Sequence, residues 1–357
     1  MNLYKSLIFI LYLGIFLGSG FRTPAQSRDS ITLYGTLDTV QVIRQRIQHA
    51  NEANAGARVT HISPAILQAN KTRSLAELLT DHTSIYIKSL GTGALSTASF
   101  RGTSASQTRV NWNGINITPP LSGTFDFSQI PVFFTDNINL YYGSSHVKNG
   151  TGAIGGSVNL FTDTDWNRGV NGRVLAEYGS YNTYTVGGQV NISGNKSASK
   201  TRLYYQHSDN DYTYLNKVLT NTPFREKRQD AAYSQFGIMQ EGYFRVSPYT
   251  RLTAVAWYQK NYRNLPQPLG VVNRSQEDQE ENNFRGYAGL DFSRGIHELH
   301  VKAAWLYFCQ TYDIRYDGGL FDPKGNKNRS NTAQVVADYT YSPTDKLILN
   351  TTLTYSH

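Results

Sequence analysis

From residue 166 onward the chain alternates apolar and polar side chains with a period of two, the pattern of strands whose two faces meet different surroundings. In "TRLTAVAWYQK", Leu252, Ala254, Ala256 and Tyr258 fall on one face, and Thr253, Val255, Trp257 and Gln259 on the other. "KLILNTTLTY" repeats the alternation through Leu347, Leu349, Thr351, Leu353 and Tyr355. Nine such segments are predicted, at 170–179, 182–193, 200–210, 233–246, 250–261, 283–293, 297–312, 331–342 and 346–357. At about ten residues or more they suit a tilted membrane crossing, whereas strands of soluble sandwiches average about 5–6. The predicted connections sort by length. Those after the third, fifth and seventh strands (211–232, 262–282, 313–330) are long and charged, and those after the second, fourth, sixth and eighth are short ("SGNKSAS", "VSPYT", "SRGI", "SPTD"). Long outer loops alternating with short inner turns are expected of an outer-membrane barrel. The connection after the first strand is short too, and is the exception.

The preceding stretch, 58–165, reads as a small α/β unit. "RVTHISPAIL" predicts a strand and then a turn. In "SLAELL", Ser74 and Glu77 make a capping box opening a helix that buries Leu75, Leu78 and Leu79. "SIYIKSLG" predicts a strand with Ile85 and Ile87 on one side. Two more strands are expected around Arg101-Gly102 and over Val110 to Ile117, with Asn113-Gly114 as a tight turn. Between Gly150 and Gly156, "GTGAIGG" has the GxGxxG spacing of a dinucleotide-binding loop in Gly150, Gly152 and Gly155. That reading requires a helix next. The following "SVNLF" alternates as a strand, so the glycines instead predict a sharp turn packed close to a wall, a hinge between the two regions that also includes Gly156.

Composition narrows the classes. Only 17% of the 357 residues are charged, while 13% are aromatic, with 25 Tyr against 4 Trp. The single cysteine, Cys309, excludes an intrachain disulfide and a cysteine-based metal site. A Lys5 n-region, an apolar run from Leu7 to Leu17 and small residues at Thr23 and Ala25 predict a secretory signal peptide over 1–25. The net charge of +8 comes with no Lys/Arg cluster, so nucleic-acid binding is not expected. No catalytic constellation emerges, and no enzyme activity or cofactor is expected. His297 and His300, three apart on a strand, point to opposite faces. Asp209 and Asp211 form a weak candidate for Ca²⁺ at the first long loop.

Four motifs in order carry a resemblance: the helix "LAELL", Phe100-Arg101-Gly102, the Asn113-Gly114 turn, and "YYGSSHVKNGTGAIGGSVNLFT". This region resembles the plug of TonB-dependent outer-membrane receptors. "LDTVQVI", Leu37, Asp38, Thr39, Val40, Gln41, Val42 and Ile43, resembles a TonB box. The type of "STASFRGTSASQTRVNWNGINI" is similar to the cobalamin-receptor-like branch. The implied fold is mainly β: a periplasmic segment at 26–57, a small α/β plug at 58–165, and a transmembrane antiparallel β-barrel from 166 to 357. Plugged transporters have 22 strands, and nine is an odd number, so an incomplete barrel is expected. The resemblance implies uptake of a scarce small-molecule ligand across the outer membrane, with TonB and membrane lipid as partners. Cobalamin is the leading ligand and an iron siderophore the alternative; a passive pore or surface-binding protein is the alternative of another class. The plug's apical loops would offer Leu95, Ser96, Thr97, Leu121, Ser122, Thr124 and Phe125 to the ligand, and Arg101 and Arg109 would contact the barrel.

Overall fold

A computed structural model describes residues 58–143, 153–218, 222–269, 275–316, 325–344 and 347–357. The predicted signal peptide and the box at Leu37–Ile43 lie outside these residues, as do Gly150 and Gly152.

The first region is a five-stranded sheet with two helices. Its strands are β1 (Arg58–His61), β4 (Thr108–Trp112), β5 (Ile115–Asn116), β6 (Asn137–Tyr142) and β7 (Gly156–Phe161), in the order β1-β6-β7-β4-β5. All neighbours are antiparallel except β4 and β7, which run parallel. Beside them β2 (Tyr86–Ser89) and β3 (Ser96–Ser99) form a hairpin. Helix α2 (Leu75–His82) starts at the expected capping box: Ser74 Oγ accepts from Glu77 N–H at 3.3 Å, and Ser74 N–H donates to Glu77 Oε2 at 2.8 Å. Leu75, Leu78 and Leu79 are fully buried, as the pattern predicted.

Two local expectations are corrected. Residues 64–69, expected as a turn, form helix α1 (Pro64–Ala69), because Ser63 caps it through Ile66 N–H and Pro64 supplies the fixed φ favoured in a first turn. Arg101-Gly102, expected in a strand, is a turn between β3 and a short 3-10 turn, with both residues at positive φ (50° and 78°). The Asn113-Gly114 turn stands as expected, with φ of 50° and 84° joining β4 to β5.

The second region is one antiparallel meander of nine strands. They are β8 (Gly169–Gly179), β9 (Thr183–Ser193), β10 (Ser197–Ser208), β13 (Tyr233–Ser247), β14 (Thr250–Asn264), β15 (Ser275–Arg294), β16 (His297–Tyr316), β17 (Asn326–Thr344) and β18 (Leu347–Ser356). Within the connection after β10 lies a small hairpin of β11 (Thr213–Asn216) and β12 (Phe224–Lys227). The segments predicted as loops at 262–282 and 313–330 are shorter than expected. β14, β15, β16 and β17 run into them, and their polar side chains pair across strands, as in Lys260–Glu280 at 3.0 Å and Arg315–Asp278. The alternation of long and short connections survives the correction.

The faces of this sheet are inverted relative to a soluble protein. On β10, Leu203 is 49% exposed while its neighbour Arg202 is 0% exposed; Val174 on β8 reaches 81%. Val190, Phe236, Ile238, Phe244 and Leu252 continue the exposed apolar face, and the buried face lies against the first region. An outward apolar face paired with an inward polar one is the pattern of strands that line a transmembrane barrel.

Candidate functional site: the seam between plug and sheet

Three zones make up the seam. The first is ionic and lies toward the short turns. β10 places Lys200 and Arg202 on its inward face, and Glu241 stands opposite Lys200 on β13. Asp136, just before β6, is fixed by its N–H bond to Phe161 O at 2.8 Å. Its carboxylate takes Lys200 Nζ at 3.0 Å and Arg202 Nη2, while Arg202 also reaches Glu241 at 3.2 Å and donates to Phe133 O at 3.1 Å. Tyr243 donates to Glu241 at 2.5 Å. Lys71, buried close by, donates to the carbonyls of Val132 and Thr135. Burial alone would raise the Asp136 carboxyl, but Arg202 and Lys200 overcome it and hold the group well below the usual carboxylate range. Burial pushes Lys71 down to about 8, against the opposing pull of Asp136.

Above this zone the seam is aromatic. Trp112 packs on Trp257 and Tyr287 with centroids 5.3 Å apart in each pair, and Phe134 packs on Trp257 at 5.3 Å and Tyr204 at 6.1 Å. A Cβ at Gly237 would sit 2.6 Å from the Phe134 ring, so only glycine lets the sheet approach this closely. Amides of the sheet stitch backbone of the first region: Gln235 donates to Ser128 O at 2.9 Å, Gln259 to Gln129 O at 2.7 Å, and Gln334 to Asn116 O at 2.7 Å.

The third zone lies toward the long connections and holds two adjoining cavities. The outer, of about 180 Å³, is lined from the first region by Leu95, Ser122, Thr124 and Phe125, and from the sheet by Arg263, Gln279, Glu281 and Gln310. Arg263 is spoken for by Asp126 at 2.7 Å and by Gln279 at 3.1 Å. The inner cavity, of about 260 Å³, runs from Arg109 and Asn116 to β15, β16, β17 and β18.

Four of the seven predicted ligand-facing residues therefore meet at one cavity: Leu95, Ser122, Thr124 and Phe125. Phe125 is nonetheless mostly buried, its ring edge-on to Phe127 at 5.2 Å. Ser96 and Thr97 belong to β3 and not to a loop; Ser96 is buried, and its N–H donates to Asp126 Oδ1 at 3.0 Å. Leu121 is exposed and outside the cavity lining. Arg109 reaches the inner cavity, whereas Arg101 is exposed with its guanidinium beside Gly143 of its own region. Gly155 and Gly156 also pack inward: a Cβ would meet Thr103 Oγ1 at 2.2 Å and Tyr141 O at 2.5 Å, respectively. They serve the first region's own sheet, and the link to the second region is the later segment 162–168. Asp209 bonds His207 at 3.1 Å and Asn182 at 3.2 Å, and Asp211 pairs with Lys227 at 2.7 Å. Among the described residues no group of three or more His, Cys, Asp or Glu is placed to hold a metal ion.

Sequence reasoning missed the ionic zone. A signal was available, since Lys200, Arg202, Tyr204 and Gln206 alternate with apolar Leu203 and Tyr205, which puts charge on the face opposite lipid.

Residues 51–157 match the family described as the TonB-dependent Receptor Plug Domain. The vitamin B12 transporter BtuB of Photobacterium profundum is 32% identical over 137 residues, covering 38% of this chain and 22% of that protein. BtuB of Vibrio cholerae O1 (strain M66-2) is 32% identical over 126 residues, covering 35% of the chain and 20% of the relative. Among solved structures, the FrpB iron transporter of Neisseria meningitidis (F3-3 variant) has a TM-score of 0.67 at 14% identity, covering 84% of this chain and 48% of that one. The ferric-catecholate import receptor Fiu of E. coli K12 has a TM-score of 0.63 at 12% identity, covering 84% and 49%. The match thus spans about a fifth of the curated relatives and about half of the solved structures, and the latter show a shared fold.

Proposed function

We propose that the chain, whose residues 51–157 match the plug domain of TonB-dependent receptors, is such a receptor, a plug docked on barrel strands, and serves active uptake of a scarce ligand through the outer membrane of a Gram-negative bacterium. The observation that carries this reading is the outer cavity, where plug residues Leu95, Ser122 and Thr124 meet sheet residues Gln279 and Gln310 at the end bearing the long connections. A ligand captured there would be closed in by the loops above and the plug below. The segment Leu37–Ile43 would then add as a strand to the periplasmic domain of TonB, with backbone hydrogen bonds supplying affinity. A pull on it would have to break the ionic zone before the plug could leave the wall. No nucleotide, metal cofactor or catalytic residue enters this scheme.

Cobalamin is the proposed ligand, because the sequence similarity over the plug is to vitamin B12 transporters. An iron chelate is the second reading; the iron receptors among the solved structures support it through fold alone. The test is uptake of radiolabelled cobalamin and of a labelled ferric chelate by cells producing the receptor with and without Asp38–Ile43. Deletion is expected to abolish uptake and to leave surface binding in place. Unchanged uptake would sink active transport in favour of a passive pore or a surface-binding protein.

A further inference from the structure

One carboxylate joins the two sides of the outer cavity. Asp126 turns its two oxygens in different directions. Oδ1 faces the plug: it accepts from Ser96 N–H of β3 at 3.0 Å, from Ser128 N–H at 3.1 Å and from the Ser128 hydroxyl at 2.7 Å. Oδ2 faces the wall and takes Arg263 Nη1 of β14 at 2.7 Å. Arg263 Nη2 then donates to Gln279 Oε1 of β15 at 3.1 Å, Gln279 donates to Glu281 Oε1, and Gln310 of β16 donates to that same oxygen at 2.9 Å. Asp126, Arg263, Gln279, Glu281 and Gln310 all line the outer cavity. A continuous run of hydrogen bonds therefore leads from the plug across three strands of the sheet.

The plug's own contributions to the cavity hang on the same residue. Leu95 directly precedes Ser96, and the loop that carries Ser122, Thr124 and Phe125 ends at Asp126. Within that loop Gly123 N–H donates to Pro119 O at 3.1 Å, and the Ser122 hydroxyl donates to Thr124 O at 2.8 Å. Those bonds fix the shape of the loop, and its distance from the wall is a separate matter. The Asp126–Arg263 pair spans that distance. Its side chains are 12% and 9% exposed, so water and salt screen the attraction little. We propose that Asp126 is a positioning residue for the ligand site: through Arg263 it sets the spacing between the loop that presents Ser122 and Thr124 and the wall that presents Gln279 and Gln310. The use of this cavity by a ligand rests on the transport reading. A loop held at its bound spacing beforehand spares the complex the cost of ordering it, so the pair raises affinity by pre-organisation. An amide in place of the carboxylate has one acceptor oxygen for two directions. Three plug donors compete for it against one guanidinium, so Asp126→Asn turns an N–H₂ toward Arg263 and unhooks the wall. Arg263→Gln unhooks it from the other side and leaves both carboxylate oxygens in place.

The first test needs no ligand. Spin labels are placed at Leu121 on the loop and Lys260 on β14, both exposed, in a Cys309→Ala background of the full chain in detergent. The distance distribution between them is expected to broaden in Asp126→Asn and in Arg263→Gln, while the plug stays as resistant to protease as before. The double variant should broaden no further than either single one, because both remove the same link. Arg263→Lys, which keeps a cation beside Oδ2, should stay nearer the wild type. The second test is the concentration dependence of labelled cyanocobalamin uptake by cells producing the receptor. Each single variant is expected to raise the half-saturating concentration on the order of tenfold to a hundredfold, the span of one charged hydrogen bond, with the maximal rate within about twofold of the wild type. An unchanged distance distribution in Arg263→Gln overturns the proposal. So does broadening that comes with digestion of the whole plug, or a half-saturating concentration that stays at the wild-type value. Should Asp126→Asn fail to fold, Arg263→Gln decides. If the wild type takes up no cyanocobalamin, the cobalamin reading falls and the label distances alone decide the role of Asp126. Uptake that survives the Asp38–Ile43 deletion would sink active transport alone.

Discussion

The plug and the sheet bury opposite things. In the plug, Leu75, Leu78, Leu79, Val110 and Leu140 are sealed inside, in the manner of any water-soluble domain. In the sheet, Arg202, Glu241 and Gln259 are sealed inside, while Val174, Ile238 and Leu252 face outward. The difference teaches that the two regions were selected against different solvents. Water drives the plug's apolar residues together. For strands that face hydrocarbon that drive is absent, and here the inward face is polar and makes specific pairs with the plug.

The largest expected break in this contrast is at the ionic zone. Arg202→Ala leaves Asp136 and Glu241 without their shared cation, and removing one member of a buried pair costs about 3–5 kcal/mol. The expected outcome is a plug that proteases digest readily while the strands survive; equal resistance to the wild type would show that the zone does not hold the plug. Next comes a matched pair of truncations. Leu79→Ala in the plug core should cost about 2–5 kcal/mol in denaturant unfolding, whereas Val190→Ala on the outward face should cost under about 1 kcal/mol in detergent. Similar losses at both positions would erase the distinction between the faces. The most gradual effect is a pH dependence. Lys71 titrates near 8 in the folded protein and near 10.5 when unfolded. Between those values the unfolded state holds the extra proton, so stability rises with pH through this window, by up to about 3 kcal/mol, and shows no such rise below pH 8. Lys71→Met should flatten that slope in unfolding midpoints measured from pH 7 to 11, and an unchanged slope would assign the effect elsewhere.

How much of this was legible in the sequence follows from the range of each interaction. Strand positions in the second region could be read because a period of two is local, and the capping box of α2 because it spans four residues. Helix α1 was readable in principle from Ser63 and Pro64, but the short run after them lacks an apolar repeat long enough to announce it. The extra lengths of β15 and β16 were hidden by composition: "QEDQEENN" looks like a loop until Arg263, Lys260 and Arg315 stand beside it. The candidate site was half visible. The apical loops could be placed by motif, and Leu95, Ser122, Thr124 and Phe125 do converge on one cavity. Its sheet wall could not be placed. The sheet partners of Asp136 lie 64 and 66 positions away, and the sheet partner of Asn116, Gln334, lies 218 positions away. No periodicity encodes such separations; they exist only once the plug is seated.

The strand order of the plug has a mechanical consequence. The chain enters the domain at its rim and leaves it from its middle: β1 is the outermost strand, paired with β6 alone over four residue pairs, while β7 lies between β6 and β4. Tension arriving from upstream of Arg58 is borne first by those four pairs and can strip the rim without touching the remainder of the sheet. Tension from the downstream side would have to breach the centre. The domain is weak toward one end of its chain and strong toward the other, a ratchet-like asymmetry written into its topology.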